Sequence, residues 1–255
     1  MKTPSKWVDI SIPLIFDGAQ PNAYGVATAT GTACRTGTLV GDTREGGSCN
    51  FEEYRLIPHC NGTHTECVGH ITEERISVRQ CLEDVLMSAL LISVAPIEAV
   101  SCGESYASRF DTTDRMLSAS DLHRAIGDMR ADALIIRTLP NAEEKLKASY
   151  ADSTVPFLSN DAMKLINESD FKHLLVDLPS IDRLSDEGKL SNHRIFWGME
   201  LGTTSRPSVE FCKKTVTEFI FVPNYLEDGL YELNLQIAPF ETDASPSRPL
   251  LRSLK

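Results

Sequence analysis

The stretch HCNGTHTECVGHI, residues 59–71, gathers an unusual number of side chains that can bind a metal ion. It holds three of the chain's six histidines, two of its seven cysteines and a glutamate. Histidine is scarce elsewhere, so chance is a poor explanation for this cluster. The next candidates for such a site, His193 and Glu218, lie much later in the chain. The stretch therefore raises the question of whether these groups converge on one ion.

Strand and helix patterns alternate on both sides of this stretch. Before it, residues 7–14 (WVDISIPL) and 51–59 (FEEYRLIPH) have the character of extended strands. After it, residues 77–87 (SVRQCLEDVLM) have helical spacing, with Ser77 as a candidate cap. The apolar run at 89–97 (ALLISVAPI) is typical of a buried strand.

The same order continues along the chain. A predicted helix at 118–128 precedes a strand at 131–139, and a helix at 159–170 precedes a strand at 173–179. The last third changes to β runs, KTVTEFIFVP and GLYELNLQIAPFE, which are separated by the turn-forming NYLEDG. The Gly- and Thr-rich residues 31–50 predict a loop near the site. We expect one α/β domain over residues 1–255 with a mixed sheet.

The carboxy-terminal TDASPSRPLLRSLK, residues 242–255, predicts only a strand remnant and a frayed tail. Apolar content of 42% and charged content of 24% are ordinary for a globular protein. The net charge of −11 argues against nucleic acid or an anionic membrane as a partner. No apolar run has the length of a signal peptide or of a bilayer span. The seven cysteines lack the regular spacing of a disulfide-stabilised secreted scaffold, which favours reduced thiols. We therefore expect a soluble cytoplasmic protein.

The alternation of side chains along an extended strand predicts a first set of metal ligands in the motif. If the segment is extended, Cys60, His64 and Glu66 share one face, with Gly62 leaving open space beside them. A thiol, an imidazole and a carboxylate all suit zinc. His59 then points away unless the chain bulges. The alternative is a strand-end cluster of polar groups that only hydrogen-bonds a loop.

The residues GTHTECVGH, 62–70, resemble the signature of the cyclase family of metal hydrolases, which includes bacterial kynurenine formamidase and isatin hydrolase. That signature is His-x-Gly-Thr-His-x-Asp-x-Pro-x-His. Weaker matches follow in the family's order: WVDISIPL, ADALIIRT, PFLSNDAMKLI with HLLVDLPSIDRL, LSNHRIF and GLYELNLQIAP. The resemblance implies a cyclase-like swivelling β/β/α domain, built round a mixed sheet or barrel.

The resemblance also implies a role for individual residues. His64 matches a histidine ligand, and Glu66 stands where the family has a metal-bridging aspartate. His70 matches the histidine that does general acid–base work. His193 would be a ligand of a second ion, and Glu218 the late glutamate that bridges the ions. One or two divalent ions are implied, with Zn²⁺ favoured and Mn²⁺ as the alternative.

The chain departs from the signature at its first position, among others. Cys60 occupies the place of the family's first histidine, and His59 lies one residue out of register. Glu66 replaces aspartate and Val68 replaces proline. A bulge could bring His59 inward, or Cys60 could bind as a thiolate and favour zinc. We favour His59, and a third option is that neither binds. Cys67, on the opposite face, is expected to be a packed thiol.

The implied activity is hydrolysis of an aryl formamide, such as N-formylkynurenine, or of a cyclic amide, through a metal-bound hydroxide with His70 as general acid/base. Tyr24 stands at about the place of the family's substrate-stacking aromatic residue, and Trp197 is a second possibility. A homo-oligomer, dimer or tetramer, is also implied. The alternatives are a lactone or cyclic-ester hydrolase, and an inactive homologue that only binds a metal or ligand.

Overall fold

The computed structural model describes residues 6–151 and 154–254. Its strands are β1 (Val8–Asp9), β2 (Thr30–Ala33), β3 (Arg35–Thr36), β4 (Leu39–Val40), β5 (Glu52–Arg55), β6 (His64–Cys67), β7 (Leu86–Val94), β8 (Ile97–Glu98), β9 (Arg115–Leu117), β10 (Ala133–Thr138), β11 (Phe157–Leu158), β12 (His173–Val176), β13 (Thr215–Glu218), β14 (Gly229–Asn234), β15 (Ala244–Pro246) and β16 (Leu250–Ser253).

Its helices are α1 (Pro58–Asn61), α2 (Val78–Cys81), α3 (Ala99–Cys102), α4 (Ala119–Ile126), α5 (Asn160–Glu168), α6 (Ser191–Phe196) and α7 (Val209–Cys212). Short 3₁₀ turns cover Thr43–Glu45, Val68–His70 and Glu143–Lys147. Among the described residues, no helix is both long and apolar enough to cross a bilayer.

One large mixed sheet organises the described part of the chain, with nine strands in the order β1-β16-β14-β7-β10-β12-β13-β6-β15. The central strands β7, β10, β12 and β13 are parallel, and the strands outside them pair antiparallel. The sheet curls, because Ser11, just beyond edge strand β1, bridges Ile220, just beyond β13. The result is a half-barrel, and the predicted cyclase-like α/β fold with a mixed sheet is confirmed.

The central strands are buried on both faces, which explains their nearly continuous apolar sequences. Leu90 and Leu134 face a core that they share with α4, α5 and α6. Their neighbours Leu91 and Ile135 face a second core inside the curl, lined by β14 and β16. Side chains alternate across a strand, so each of these strands contributes to both cores. Cys67 is fully buried in the first core, as predicted for a packed thiol.

Two predicted helices form, and each begins at a serine cap, whereas the Ser77 side chain makes no cap hydrogen bond to α2. The hydroxyl of Ser118 accepts from the Asp121 N–H at the start of α4, and that of Ser159 accepts from the Ala162 N–H at the start of α5. The helix predicted over 77–87 is wrong in its length, because α2 ends at Cys81. From Leu86 onward the backbone hydrogen-bonds to β14 and β10 instead, and this long-range pairing overrides the local helical pattern.

Two further predictions need correction. Residues 31–50 are not simply a loop, because β2 pairs with β5 and β3 pairs with β4. The carboxy-terminal segment is not frayed: β15 pairs with β6, and β16 lies between β1 and β14 with Leu251 fully buried. The pairing partners of β16 lie at distant positions in the chain, so local sequence carried no signal for it. Lys255 lies outside the described residues.

Candidate metal centre

Strands β6 and β13 bring three predicted ligands together. His64 and Glu66 are two residues apart on β6 and therefore share a face. The antiparallel register places Glu218 directly opposite His64. Nε2 of His64 lies 3.5 Å from Oε2 of Glu218 and 4.0 Å from Oε2 of Glu66. All three side chains are buried.

Helix α6 adds the fourth side chain, His193. Its Nδ1 donates to Oδ2 of Asp182 at 2.7 Å, and this bond fixes the ring. Its Nε2 then faces Oε1 of Glu66 at 2.8 Å and Oε1 of Glu218 at 3.7 Å. The predicted convergence of His193 on the β6 motif is therefore present in the structure. We call His64, Glu66, His193 and Glu218 the inner group.

Asp182 is a residue of the site that sequence reasoning did not single out. Its carboxylate also accepts from the Asn192 N–H at 2.8 Å and from the Tyr106 hydroxyl at 2.8 Å. It is thus held rigidly behind His193. The only sequence signal was its place in DLPSID, a stretch noted for its resemblance to a family turn.

Charges in the inner group compensate one another. Burial opposes ionisation of Glu66, but His70 and His193 hold its pKa far below its ordinary value. Burial likewise opposes protonation of His193, yet Glu66 and Asp182 raise its pKa well above that of a free imidazole. These two carboxylates therefore favour the charged form of His193. A bound cation would take the place of the Nε2 proton.

A second set of side chains lies beside Glu66, nearer the surface. The His59 ring stacks on the His70 ring with centroids 4.5 Å apart. Nε2 of His59 lies 3.3 Å from Oε2 of Glu66 and 3.1 Å from Oδ2 of Asp243. Nδ1 of His70 lies 3.5 Å from the same Asp243 oxygen. We call His59, Glu66, His70 and Asp243 the outer group.

Three side chains of each group have ligand atoms close enough together to hold a divalent metal ion. Four ligand atoms about 2.1 Å from a tetrahedral ion are about 3.4 Å apart, and most of the separations above lie near that value. The ligand atoms of His64, Glu66 and Glu218, and those of His59, Glu66 and His70, each lie within 4.8 Å of one another. Nε2 of His59 and Nε2 of His64 are buried without a hydrogen-bond partner among the described residues. Buried nitrogens left unpaired in this way are suited to binding a cation.

The position of Cys60 differs from the prediction. Residues 58–61 are helical rather than extended, so side chains alternate between two faces, as expected for a strand, only from His64 onward. Pro58 starts the turn, and the Asn61 side chain accepts from the Ile57 N–H. This turn directs His59 to the carboxylates without a bulge. Cys60 instead packs in an apolar cluster with Ile12, Ala23 and Phe219.

The structure therefore favours His59 over Cys60 as a ligand, and single variants test the choice. We expect His59→Ala to lower the metal content of the purified protein sharply. Cys60→Ala should leave metal content near wild type and cost about 1 kcal/mol of stability, because it opens a small cavity. Metal analysis and thermal melting of both variants provide the measurement. Full metal in both would exclude both residues as ligands.

The turn after β6 positions His70 beside the centre. Residues Val68–His70 form a 3₁₀ turn that brings the His70 ring back beside Glu66 and His59. Gly69 has no room for a side chain, because an added Cβ would collide with the Ile76 carbonyl oxygen. The His70 side chain is 27% exposed, in contrast to the buried inner group. It can therefore reach a bound small molecule.

Aromatic side chains lie on one side of the candidate metal centre. Tyr24 is half exposed, in a loop tied to α1 by a hydrogen bond from the Ala23 N–H to the Cys60 carbonyl. Phe219, which sequence reasoning missed, follows Glu218 with a φ of 56° and lies 6.2 Å from the His64 ring. Such a strained backbone is common at functional sites. Trp197 is fully buried and donates to the Lys214 carbonyl, so it belongs to the core.

The sequence profile of the Cyclase family matches residues 8–183. The chain belongs to the Cyclase family. This Cyclase-family chain is 26% identical over 256 residues to kynurenine formamidase from Bacillus anthracis, an alignment that covers 100% of both chains. It is 24% identical over 257 residues to kynurenine formamidase from Bacillus cytotoxicus, with 98% and 99% of the two chains covered.

Solved structures show the same fold. Isatin hydrolase A from Labrenzia aggregata superposes with a TM-score of 0.64 at 13% identity, over 98% of this chain and 94% of that one. A Bacillus stearothermophilus protein described as a predicted metal-dependent hydrolase gives 0.63 at 15% identity, over 98% of both chains. The predicted family is confirmed, and with it the prediction that the chain is a hydrolase.

Proposed function

We propose that this Cyclase-family hydrolase is a metal-dependent amidohydrolase that acts on an aryl formamide, such as N-formylkynurenine, or on a cyclic amide. The observation that carries the proposal is the inner group, in which two imidazoles and two carboxylates from three separate elements meet in a buried position. The names of the kynurenine formamidase relatives and of the isatin hydrolase neighbours support the substrate class.

The ligand chemistry supports zinc, with manganese as the alternative. Imidazole and carboxylate ligands are those of hydrolytic zinc sites, and manganese accepts the same carboxylates. When bound, such an ion would polarise the substrate carbonyl and lower the pKa of a water molecule. The chain's own hydrogen bonds hold the ligand side chains in place. The Ile181 N–H donates to Oε1 of Glu218 at 2.8 Å, and Asp182 holds His193.

His70 is the group we propose for proton transfer. Amide cleavage needs a proton on the departing nitrogen, and imidazole is suited to deliver it near neutral pH. Its ring lies at the accessible side of the centre, stacked on His59. We propose that Tyr24 forms part of the wall against which an aromatic substrate stacks. Phe219 and Tyr150, with ring centroids 6.0 Å apart, extend that wall towards His64.

The experiment compares metal content with turnover on one preparation. We expect the purified protein to hydrolyse formanilides, N-formylkynurenine or isatin, to lose that activity after chelation and to regain it with Zn²⁺ or Mn²⁺. A simple lactone serves as the comparison substrate. Hydrolysis of the lactone alone would favour the alternative function, a lactone or cyclic-ester hydrolase. Bound metal without turnover on any amide would contradict the proposal and favour a binding protein.

A further inference from the structure

A cavity of about 270 Å³ adjoins the aromatic wall proposed above, and Tyr24 and Tyr150 both line it. Its volume is near the lower end of the range for small-ligand sites. Burial of its hydroxyl end and the nearby Glu218 carboxylate both raise the pKa of Tyr24, so the tyrosine lies between the cavity and the inner group. The cavity therefore begins where the ring of the proposed substrate would stack.

Charged side chains also line this cavity. Among the described lining residues, the charged ones are Asp111, Asp114 and Arg183. Nε of Arg183 donates to Oδ2 of Asp114 at 2.8 Å, and its Nη2 donates to Oδ2 of Asp111 at 3.1 Å. Its Nη1 donates to the Ser185 carbonyl. Two carboxylates thus share one guanidinium, which leaves one negative charge in excess.

Asp114 is firmly held and only 4% exposed. The Ala99 N–H donates to its carbonyl at 2.9 Å, which fixes its backbone beside α3. Its Oδ2 accepts from the Asp111 N–H at 2.7 Å as well as from Arg183. Its Oδ1, in contrast, accepts no hydrogen bond from the described residues. A carboxylate oxygen so nearly buried is costly without a donor, and a ligand in the cavity could supply one.

Arg183 connects this cavity to the support of His193. It directly follows Asp182, which holds the His193 ring. The Tyr106 hydroxyl donates to Oδ1 of Asp182 and accepts from the Arg183 N–H, both at 2.8 Å. The segment that fixes the metal centre therefore also fixes the charged part of the cavity.

We propose that Asp114, together with Asp111, binds a protonated amine of the substrate, so that the substrate is an aryl formamide with an ammonium-bearing side chain rather than a neutral cyclic amide. The ammonium donates a charge-assisted hydrogen bond to Oδ1 of Asp114. A carboxylate of the substrate is disfavoured here, because all three nitrogens of the Arg183 guanidinium already donate within the chain. The inference rests on the proposed function, since it names the substrate class of that same centre.

The test uses formanilides that carry an aminoethyl or aminopropyl chain on the ring, each compared with its hydroxyalkyl analogue at neutral pH. We expect the wild-type chain to favour the ammonium compounds by about 10–100-fold in kcat/KM, mainly through KM, as one hydrogen bond to a charged group would give. Asp114→Asn should reduce this preference to within about 3-fold, and Asp111→Asn should reduce it less.

Glu187→Gln is the matched control. Glu187 is an exposed carboxylate in the same loop as Arg183; it pairs with Lys189 and does not line the cavity. The variant removes the same charge from the same region, and it should retain the wild-type preference. Melting temperatures check that each variant folds. Asp111→Asn changes a side chain that is 79% exposed, so it guards against misfolding of Asp114→Asn.

Calorimetric binding of the corresponding anilines, the deformylated products, provides a readout that needs no turnover. Equal affinity of the wild-type chain for the ammonium and hydroxyl anilines would overturn the assignment, and so would an unchanged preference in Asp114→Asn. The aspartates would then be structural partners of Arg183. If the anilines bind with a preference that depends on Asp114 and no amide is hydrolysed, the ammonium site stands and the amidohydrolase proposal does not. If amides are hydrolysed without that preference, the reverse holds.

Discussion

Replacement of Glu66 by alanine is expected to remove metal from both the inner and the outer group and to lower turnover by more than about 10³-fold. The reason is that its two carboxylate oxygens face different partners, His193 on one side and His59 on the other. Without this carboxylate the two groups lose their common member and part of the negative charge that attracts a cation. Elemental analysis and turnover on a formanilide provide the measurement.

Thr65→Val is the matched control for this variant. Thr65 lies on the same strand with its side chain on the other face, where its hydroxyl hydrogen-bonds to that of Thr217 at 2.8 Å. Loss of this bond should cost about 1 kcal/mol of stability and leave metal content unchanged. A Glu66→Ala protein that retains its metal or near-normal turnover would exclude the proposed centre.

Replacement of His70 by asparagine should leave the inner ion bound and reduce turnover by about 10²–10⁴-fold, the usual range for one general acid–base group. The physical reason is that the departing nitrogen loses its proton donor while the ligands of the inner group are untouched. The loss should shrink for substrates whose leaving group is acidic enough to depart unprotonated. Turnover across a series of substituted formanilides, with metal content and melting temperature on the same preparation, is the measurement.

His123→Asn is the control, because His123 is exposed on α4 and belongs to neither group. It should retain wild-type turnover and metal. Near-normal turnover of His70→Asn on an amide with a poor leaving group would remove His70 from the mechanism. Loss of metal from that variant would make His70 a ligand instead.

Local sequence predicted much of the fold because the relevant physics is local. The apolar run at 89–97 lies largely in the buried strand β7, and the helices predicted at 118–128 and 159–170 are present as α4 and α5. The prediction was wrong where distant partners compete for the backbone. Helix α2 is short because β7 pairs with β10 and β14, and the tail forms β16 because β1 and β14 flank it.

The sequence by itself determined that His64 and Glu66 share a face, because alternation on a strand is a property of the strand alone. The resemblance of GTHTECVGH to the cyclase signature determined the family. Only the tertiary structure decided that the turn at Pro58 directs His59, rather than Cys60, to the carboxylates. It alone brought in Asp182 and Asp243, because contacts between residues far apart in the chain depend on how the sheet curls, and no local pattern encodes them.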